Sequence, residues 1–166
     1  MKIHDDHLYH GAALIQIAEH KRFTAINSLK VGRDVSRVAY CVNDNIAVYL
    51  KYATKPQGKF NEYTFTFNKD HITDLQKIHS KNEKAFIALV CVKDRQICCL
   101  SYEEFLRLQK AREDDAGKRE DSLSVLVVAP PGKSLRVYVN AAGVKKMSVG
   151  KIILPRNRFP DVLFDL

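Results

Sequence analysis

Val38-Ala39-Tyr40-Cys41-Val42-Asn43-Asp44-Asn45-Ile46-Ala47-Val48-Tyr49-Leu50-Lys51-Tyr52 is the stretch on which the reading of the fold turns. Two β-rich runs flank an Asn-Asp-Asn turn, a strong local hairpin signal. In the second run Ile46, Val48, Leu50 and Tyr52 point one way, and Ala47, Tyr49 and Lys51 point the other. A lysine therefore sits two residues after Tyr49 on a half-buried face, where a bare ammonium is costly unless it finds a partner.

Upstream of the hairpin, residues 5–28 read as one helix. Asp5 or Asp6 caps it, and a stripe of Leu8, Ala12, Ile15, Ala18, Ala25, Ile26 and Leu29 faces the core. Downstream, Lys55-Pro56-Gln57-Gly58-Lys59 is a turn, and residues 62–67 alternate as a strand with Tyr63, Phe65 and Phe67 inward. Asn68-Lys69-Asp70 opens a second helix, with Ile72, Leu75 and Ile78 as its stripe. The continuous apolar run 85–92 is expected to be a central strand covered on both faces, turning through Lys93-Asp94-Arg95 into a partner over 96–100. Ser101 caps a third helix, and Glu104 completes a capping box. After a charge-dense stretch come two strands, 124–129 and 134–140, then a short strand near 151–154 and a tail.

A chain of 166 residues that is 46% hydrophobic can bury one good core. Charged residues make up 28%, too many for a membrane protein, and no apolar run is long enough to span a bilayer. No apolar segment follows Met1-Lys2-Ile3-His4-Asp5-Asp6, so no secretory signal is visible and a cytoplasmic protein is expected. Cys41, Cys91, Cys98 and Cys99 lie in β-rich apolar runs without metal-ligand spacing, and read as small core hydrophobes. The net charge of +8 is uneven. Residues 1–60 carry nine Lys/Arg against five Asp/Glu, residues 61–120 balance at eleven each, and residues 121–166 carry seven against three. If the two ends meet, the excess forms a patch suited to a polyanion, most simply nucleic acid.

Two motifs fall away on inspection. Gly132-Lys133-Ser134 resembles the end of a phosphate-binding loop, but its first glycine would fall at Val127 and a strand follows it instead of a helix. His4, His7 and His10 lie three apart, with Asp6 and His10 on one helical face, a set that could hold a divalent metal. So close to a terminus the cluster reads as incidental.

The order helix, hairpin, strand, helix, long buried strand, short strand resembles the core of the restriction-endonuclease-like superfamily, the PD-(D/E)XK nucleases. The resemblance covers roughly residues 8–100 and implies an α/β fold with a mixed sheet. The chain would then be a single domain: a nuclease-like core over 1–109, a charged connector over 110–122 and a C-terminal β extension over 123–166. In that family an Asp on the first hairpin strand and an acidic-x-Lys on the second bind magnesium, which suits oxygen ligands on one strand face. Carried over, Lys51 takes the place of the family lysine, and Tyr49 stands where the acid belongs. Asp34 is the nearest candidate for the first acid, Glu19 for a helix glutamate, and Asp74 for an acid moved to a neighbouring helix. Asp34 and Asp74 would be the Mg ligands.

The resulting expectation is a nucleic-acid-associated protein, binding DNA or RNA, on a nuclease-like scaffold with a degraded metal site. Phosphates would be met by Arg33, Arg37, Lys51, Lys55 and Lys59, with Arg156 and Arg158 from the tail. No resident cofactor is expected, beyond Mg were cleavage retained. Two alternatives stand beside it. One is an interaction module docking a partner protein through the apolar tail residues Phe159, Val162, Leu163 and Phe164; the other is a residual Mg-dependent nuclease in which Lys51 is essential.

Overall fold

In the computed structural model, residues 1–31, 34–143 and 148–165 are described, and the side chains of Asp34 and Val35 are not. The elements run α1 (Asp5–Ala18), β1 (Ile26–Val31), β2 (Asp34–Val42), β3 (Ile46–Ala53), β4 (Tyr63–Phe67), α2 (Lys69–Lys81), β5 (Lys84–Cys91), β6 (Gln96–Ser101), α3 (Tyr102–Ala116), β7 (Leu123–Val128), β8 (Leu135–Asn140), β9 (Ser148–Leu154) and α4 (Asp161–Phe164). They build two sheets, a mixed one of order β1-β2-β3-β5-β6 and an antiparallel one of order β4-β7-β8-β9. The fold is thus mixed α/β, as the sequence indicates. Among the described residues no helix is long and apolar enough to cross a membrane.

The central pair is β3 and β5, parallel along their whole length from Ile46 opposite Lys84 to Ala53 opposite Cys91. Strands buried on both faces need apolar residues at consecutive positions, and β5 supplies them. Phe86, Ala88 and Val90 enter one core with Val48 and Leu50 of β3, beneath Ala13 and Ile17 of α1 and Phe159, Leu163 and Phe164 of the tail. Ile87, Leu89 and Cys91 enter the other with Tyr49, between the two sheets and under Leu75 of α2 and Phe105 and Leu108 of α3. The tail is therefore packed on its own domain, which removes it as an exposed docking segment.

Two expectations change. The helix foreseen over 5–28 stops at Ala18 because a remote side chain takes over the backbone after it. Asn43 Oδ1 accepts from Thr24 N (2.7 Å), Thr24 Oγ1 (2.9 Å) and Ala25 N (3.3 Å), and its Nδ2 donates to Arg22 O (2.7 Å). Residues 26–31 then continue as an edge strand against β2. Asn43 itself holds a positive φ of 51°, a conformation asparagine tolerates better than most residues.

The buried face of α1 is also not the expected stripe. His10, Ala13 and Ile17 are buried, while Leu8 and Ile15 are 57% and 60% exposed. Apolar residues lie almost all round this helix, so its periodicity does not choose a face; packing on β3 does. The charge-dense stretch 110–122 is the end of α3 followed by a short connector. Helix α3 continues to Ala116, where Gly117 (φ 71°) ends it in the left-handed conformation, and β4 from the first part pairs with β7 from the second. The four cysteines are free thiols, and burial pushes the Cys91 and Cys99 thiols up to about 12, so they stay protonated in the core.

Candidate functional site

Lys51 lies near the C-terminal end of β3, on the same face as Tyr49 and on the side covered by α2 and the second sheet. Its half-buried ammonium donates to the Thr66 carbonyl at 2.7 Å and to His71 Nδ1 at 3.4 Å, and stands 4.9 Å from the Phe67 ring centroid. A carbonyl, an imidazole lone pair and an aromatic face together offset much of the cost of taking the charge out of water. Burial still lowers the lysine pKa.

His71 is placed by the start of α2. Asn68 caps that helix by accepting from His71 N at 2.9 Å, and His71 Nδ1 accepts from Asn68 N at 3.2 Å, a reciprocal capping box. With Nδ1 accepting from both Asn68 and Lys51, the imidazole proton belongs on Nε2. Burial, and then the Lys51 charge, pull the His71 pKa down against the smaller opposing pull of Asp74. The Tyr49 phenol is pushed up to about 12 by burial, with the Asp74 carboxylate adding to it.

These facts decide how the magnesium site expected from the resemblance fares. Tyr49 is a neutral phenol at physiological pH and offers no anionic oxygen. Glu19 ends α1 on the opposite face of the first sheet. The Tyr9 and His10 rings stand 4.8 and 5.5 Å from Tyr52, and the helix carries Glu19 about 14 Å onward from there. Asp74 is near enough to act electrostatically on Tyr49 and His71, but among the described residues no carboxylate forms an ion pair with Lys51. The Asp34 backbone opens β2 opposite Val31, beyond the β2–β3 ladder that ends at Ala39 opposite Tyr49, and its side chain lies outside the described residues. No group of three or more His, Cys, Asp or Glu side chains among the described residues could hold a metal ion. The described residues do not fit a magnesium centre.

The phosphate-contact set divides as well. Arg156 and Arg158 are corrected to structural roles. Arg156 donates to the Lys133 and Pro130 carbonyls at 2.6 and 2.5 Å, and Arg158 is ion-paired to Glu104 at 2.9 Å. Arg33 lies outside the described residues, and Arg37 is exposed on β2 beside α1. Lys55 and Lys59 are exposed on the loop between β3 and β4.

That loop has a neighbour the sequence did not suggest. Because β3 and β5 run parallel and in full register, their ends finish side by side. Val92 N donates to Ala53 O at 3.0 Å and Lys93 N to Thr54 O at 3.1 Å. The β5–β6 turn, with exposed Lys93 and Arg95, is thereby stitched to the start of the β3–β4 loop, which carries Lys55 and Lys59. Asp94, the acid within the turn, is hydrogen-bonded to the Tyr63 hydroxyl through its carboxylate and its backbone N–H. Phe60 is 49% exposed on the same loop, with the Lys59 ammonium 5.9 Å from its ring centroid. Lys93, Arg95 and Phe60 were missed because the parallel pairing that unites the loops leaves no local mark in the chain. Comparisons with protein-family models, curated proteins and solved structures found no match to this chain.

Proposed function

We propose that the protein binds nucleic acid through the two stitched loops at the C-terminal ends of β3 and β5, on a nuclease-like scaffold that no longer cleaves. The observation that carries this reading is the stitching of the β5–β6 turn to the β3–β4 loop, which sets exposed Lys93 beside the start of the loop that carries Lys55, Lys59 and exposed Phe60, with exposed Arg95 on the same turn as Lys93. Exposed cations on adjoining loops attract a phosphate backbone, and an exposed aromatic ring offers a base a stacking surface, a pairing that favours single strands. A net charge of +8 adds long-range attraction of the same sign.

The scaffold part of the proposal rests on topology. A helix, an antiparallel hairpin, a crossover helix and a parallel buried strand follow one another as in the restriction-endonuclease-like core, while β1 is added before the hairpin and the third strand of that order, β4, joins the second sheet. The site part rests on Lys51 being partnered by a carbonyl and an imidazole where that family would supply acids. A gel shift with single-stranded DNA and RNA at low salt is the direct test, and binding to neither would remove the reading.

The alternative of a partner protein keeps one specific observation in its favour, now on α1 instead of the tail. Leu8, Ala12 and Ile15 form an outward stripe on that helix. Co-purification of a defined second chain from the native host, lost in a Leu8→Ser, Ile15→Ser variant, would favour this alternative.

A further inference from the structure

A cleft of about 610 Å³ opens between the N-terminal half of α1 and the β1–β2 ribbon, a volume within the usual range of small-molecule sites. It forms where the β2–β3 ladder ends at Ala39. Its walls combine four chemistries. Arg37 supplies a fixed, exposed cation. Ser36 Oγ accepts from Val38 N at 3.2 Å and Ala39 N at 3.1 Å, so the hydroxyl proton remains to be donated. Tyr40 and Leu14, both half-buried, offer a flat ring and an aliphatic surface.

The fourth is His10. This imidazole is only 6% exposed, its ring meets Tyr52 edge-on at 5.5 Å, and its Nε2 is buried without a hydrogen-bond partner. Burial lowers its pKa, opposed by Asp6 and assisted by Lys51, so at neutral pH the ring is uncharged and adds no second cation to the wall. Asp6, the one acid on the cleft wall, is drawn back to the helix end, its Oδ1 accepting from His7 N at 3.1 Å.

We propose that this cleft binds a nucleoside monophosphate unit, its phosphate on Arg37 and the Ser36 hydroxyl and its base against Tyr40 and Leu14, with the His10 ring forming part of the wall behind it. A guanidinium matches phosphate oxygens two at a time, and an aromatic face accepts any base. The unit can be a free nucleotide or the phosphorylated end of a strand, since both present the same groups.

The test titrates the full chain with adenosine 5′-monophosphate, adenosine and inorganic phosphate, following tyrosine and histidine ring signals by NMR. The expected result is saturable binding of the monophosphate, with adenosine and phosphate each at least about tenfold weaker. Arg37→Ala, a surface change that should leave the melting temperature in place, should weaken the monophosphate about tenfold or more, the low end for a charged hydrogen-bonded contact. No saturation up to about 10 mM, a limit of about 3 kcal/mol, or an Arg37→Ala protein that binds like the parent, would overturn the proposal. A 5′-phosphorylated single strand is then compared with the same sequence closed into a circle. Preference for the open strand assigns the unit to a chain end, and equal affinity assigns it to free nucleotide. A monomer carrying one phosphate does not depend on the lysine loops, so failure here leaves the nucleic-acid reading standing, and failure of that reading leaves this one to be judged by the monophosphate.

Discussion

Replacing Lys55, Lys59, Lys93 and Arg95 together with alanine should remove most of the salt dependence of single-strand binding. Each phosphate neutralised releases condensed counterion, and for single strands log K falls by about 0.7 per contact for each unit of log salt. Four contacts give a slope of about −2.8, so raising salt from about 50 to about 200 mM should weaken the parent about 50-fold. Each single alanine should shallow the slope by about 0.7, and the quadruple variant should leave it near zero. Phe60→Ala should behave differently. It removes stacking and not charge, so it should cost about 1–3 kcal/mol at every salt concentration with the slope unchanged. Fluorescence anisotropy with a labelled oligonucleotide of mixed sequence, at four or more salt concentrations, separates the two behaviours. A quadruple variant with the parent slope would refute the placement of the interface, whatever its affinity.

Removing the Lys51 ammonium with Lys51→Met should leave nucleic-acid affinity within about twofold, because that group is turned inward to Thr66 and His71; a larger loss in the same anisotropy assay would contradict this. On folding energetics, Lys51→Ala leaves the Thr66 carbonyl short of a donor and strips the packed stem, for about 1–3 kcal/mol in urea unfolding, with Lys51→Met costing less. Glu104→Ala removes at once the reciprocal half of the α3 capping box, in which the carboxylate accepts from Ser101 N at 2.9 Å, and the ion pair to Arg158. Burial raises the pKa of this carboxyl most, but its bonds from Arg158 and Ser101 together hold it low. The expected cost is about 2–4 kcal/mol, below a fully buried pair because both groups keep some contact with water. Acidification should destabilise the fold just below the ordinary histidine value of 6.5, since His10 and His71 are both held lower when folded. The unfolded chain then takes up protons first, and stability is lost as pH falls from 6.5 towards the folded values. Thermal melts at about pH 7.5 and about pH 5.5 should show this drop, and it should shrink in a His10→Gln, His71→Gln variant.

The hairpin was legible because two independent signals agree there: a β-rich apolar run through Ile46–Tyr52 and a turn of Asn and Asp residues. The same holds for β5, an apolar run long enough to be buried on both sides, and for α3, whose capping box is local. Strand β1 was not legible. Ala25, Ile26 and Leu29 fit a helical stripe, and the bonds that override it come from Asn43, some twenty residues away. At the site, the side of β3 that Lys51 takes follows from alternation, but its partners Thr66 and His71 come from β4 and α2, whose docking no local pattern announces. Arg156 and Arg158 misled for the same reason. A basic tail reads as a phosphate clamp until its acceptors at Pro130, Lys133 and Glu104 are known.

The departure of β4 from its chain neighbours has a consequence for how the molecule comes apart. It leaves β3, crosses to pair with β7 from Tyr63 opposite Val127 to Phe67 opposite Leu123, and returns through α2 to the first sheet. A polypeptide cut anywhere in 117–122 would separate Tyr63, Phe65 and Phe67, three of the largest interior side chains, from the β7 ladder that holds their strand. Early and late halves are laced together like a bootlace through two eyelets, so the chain should melt in a single step and neither half should survive alone.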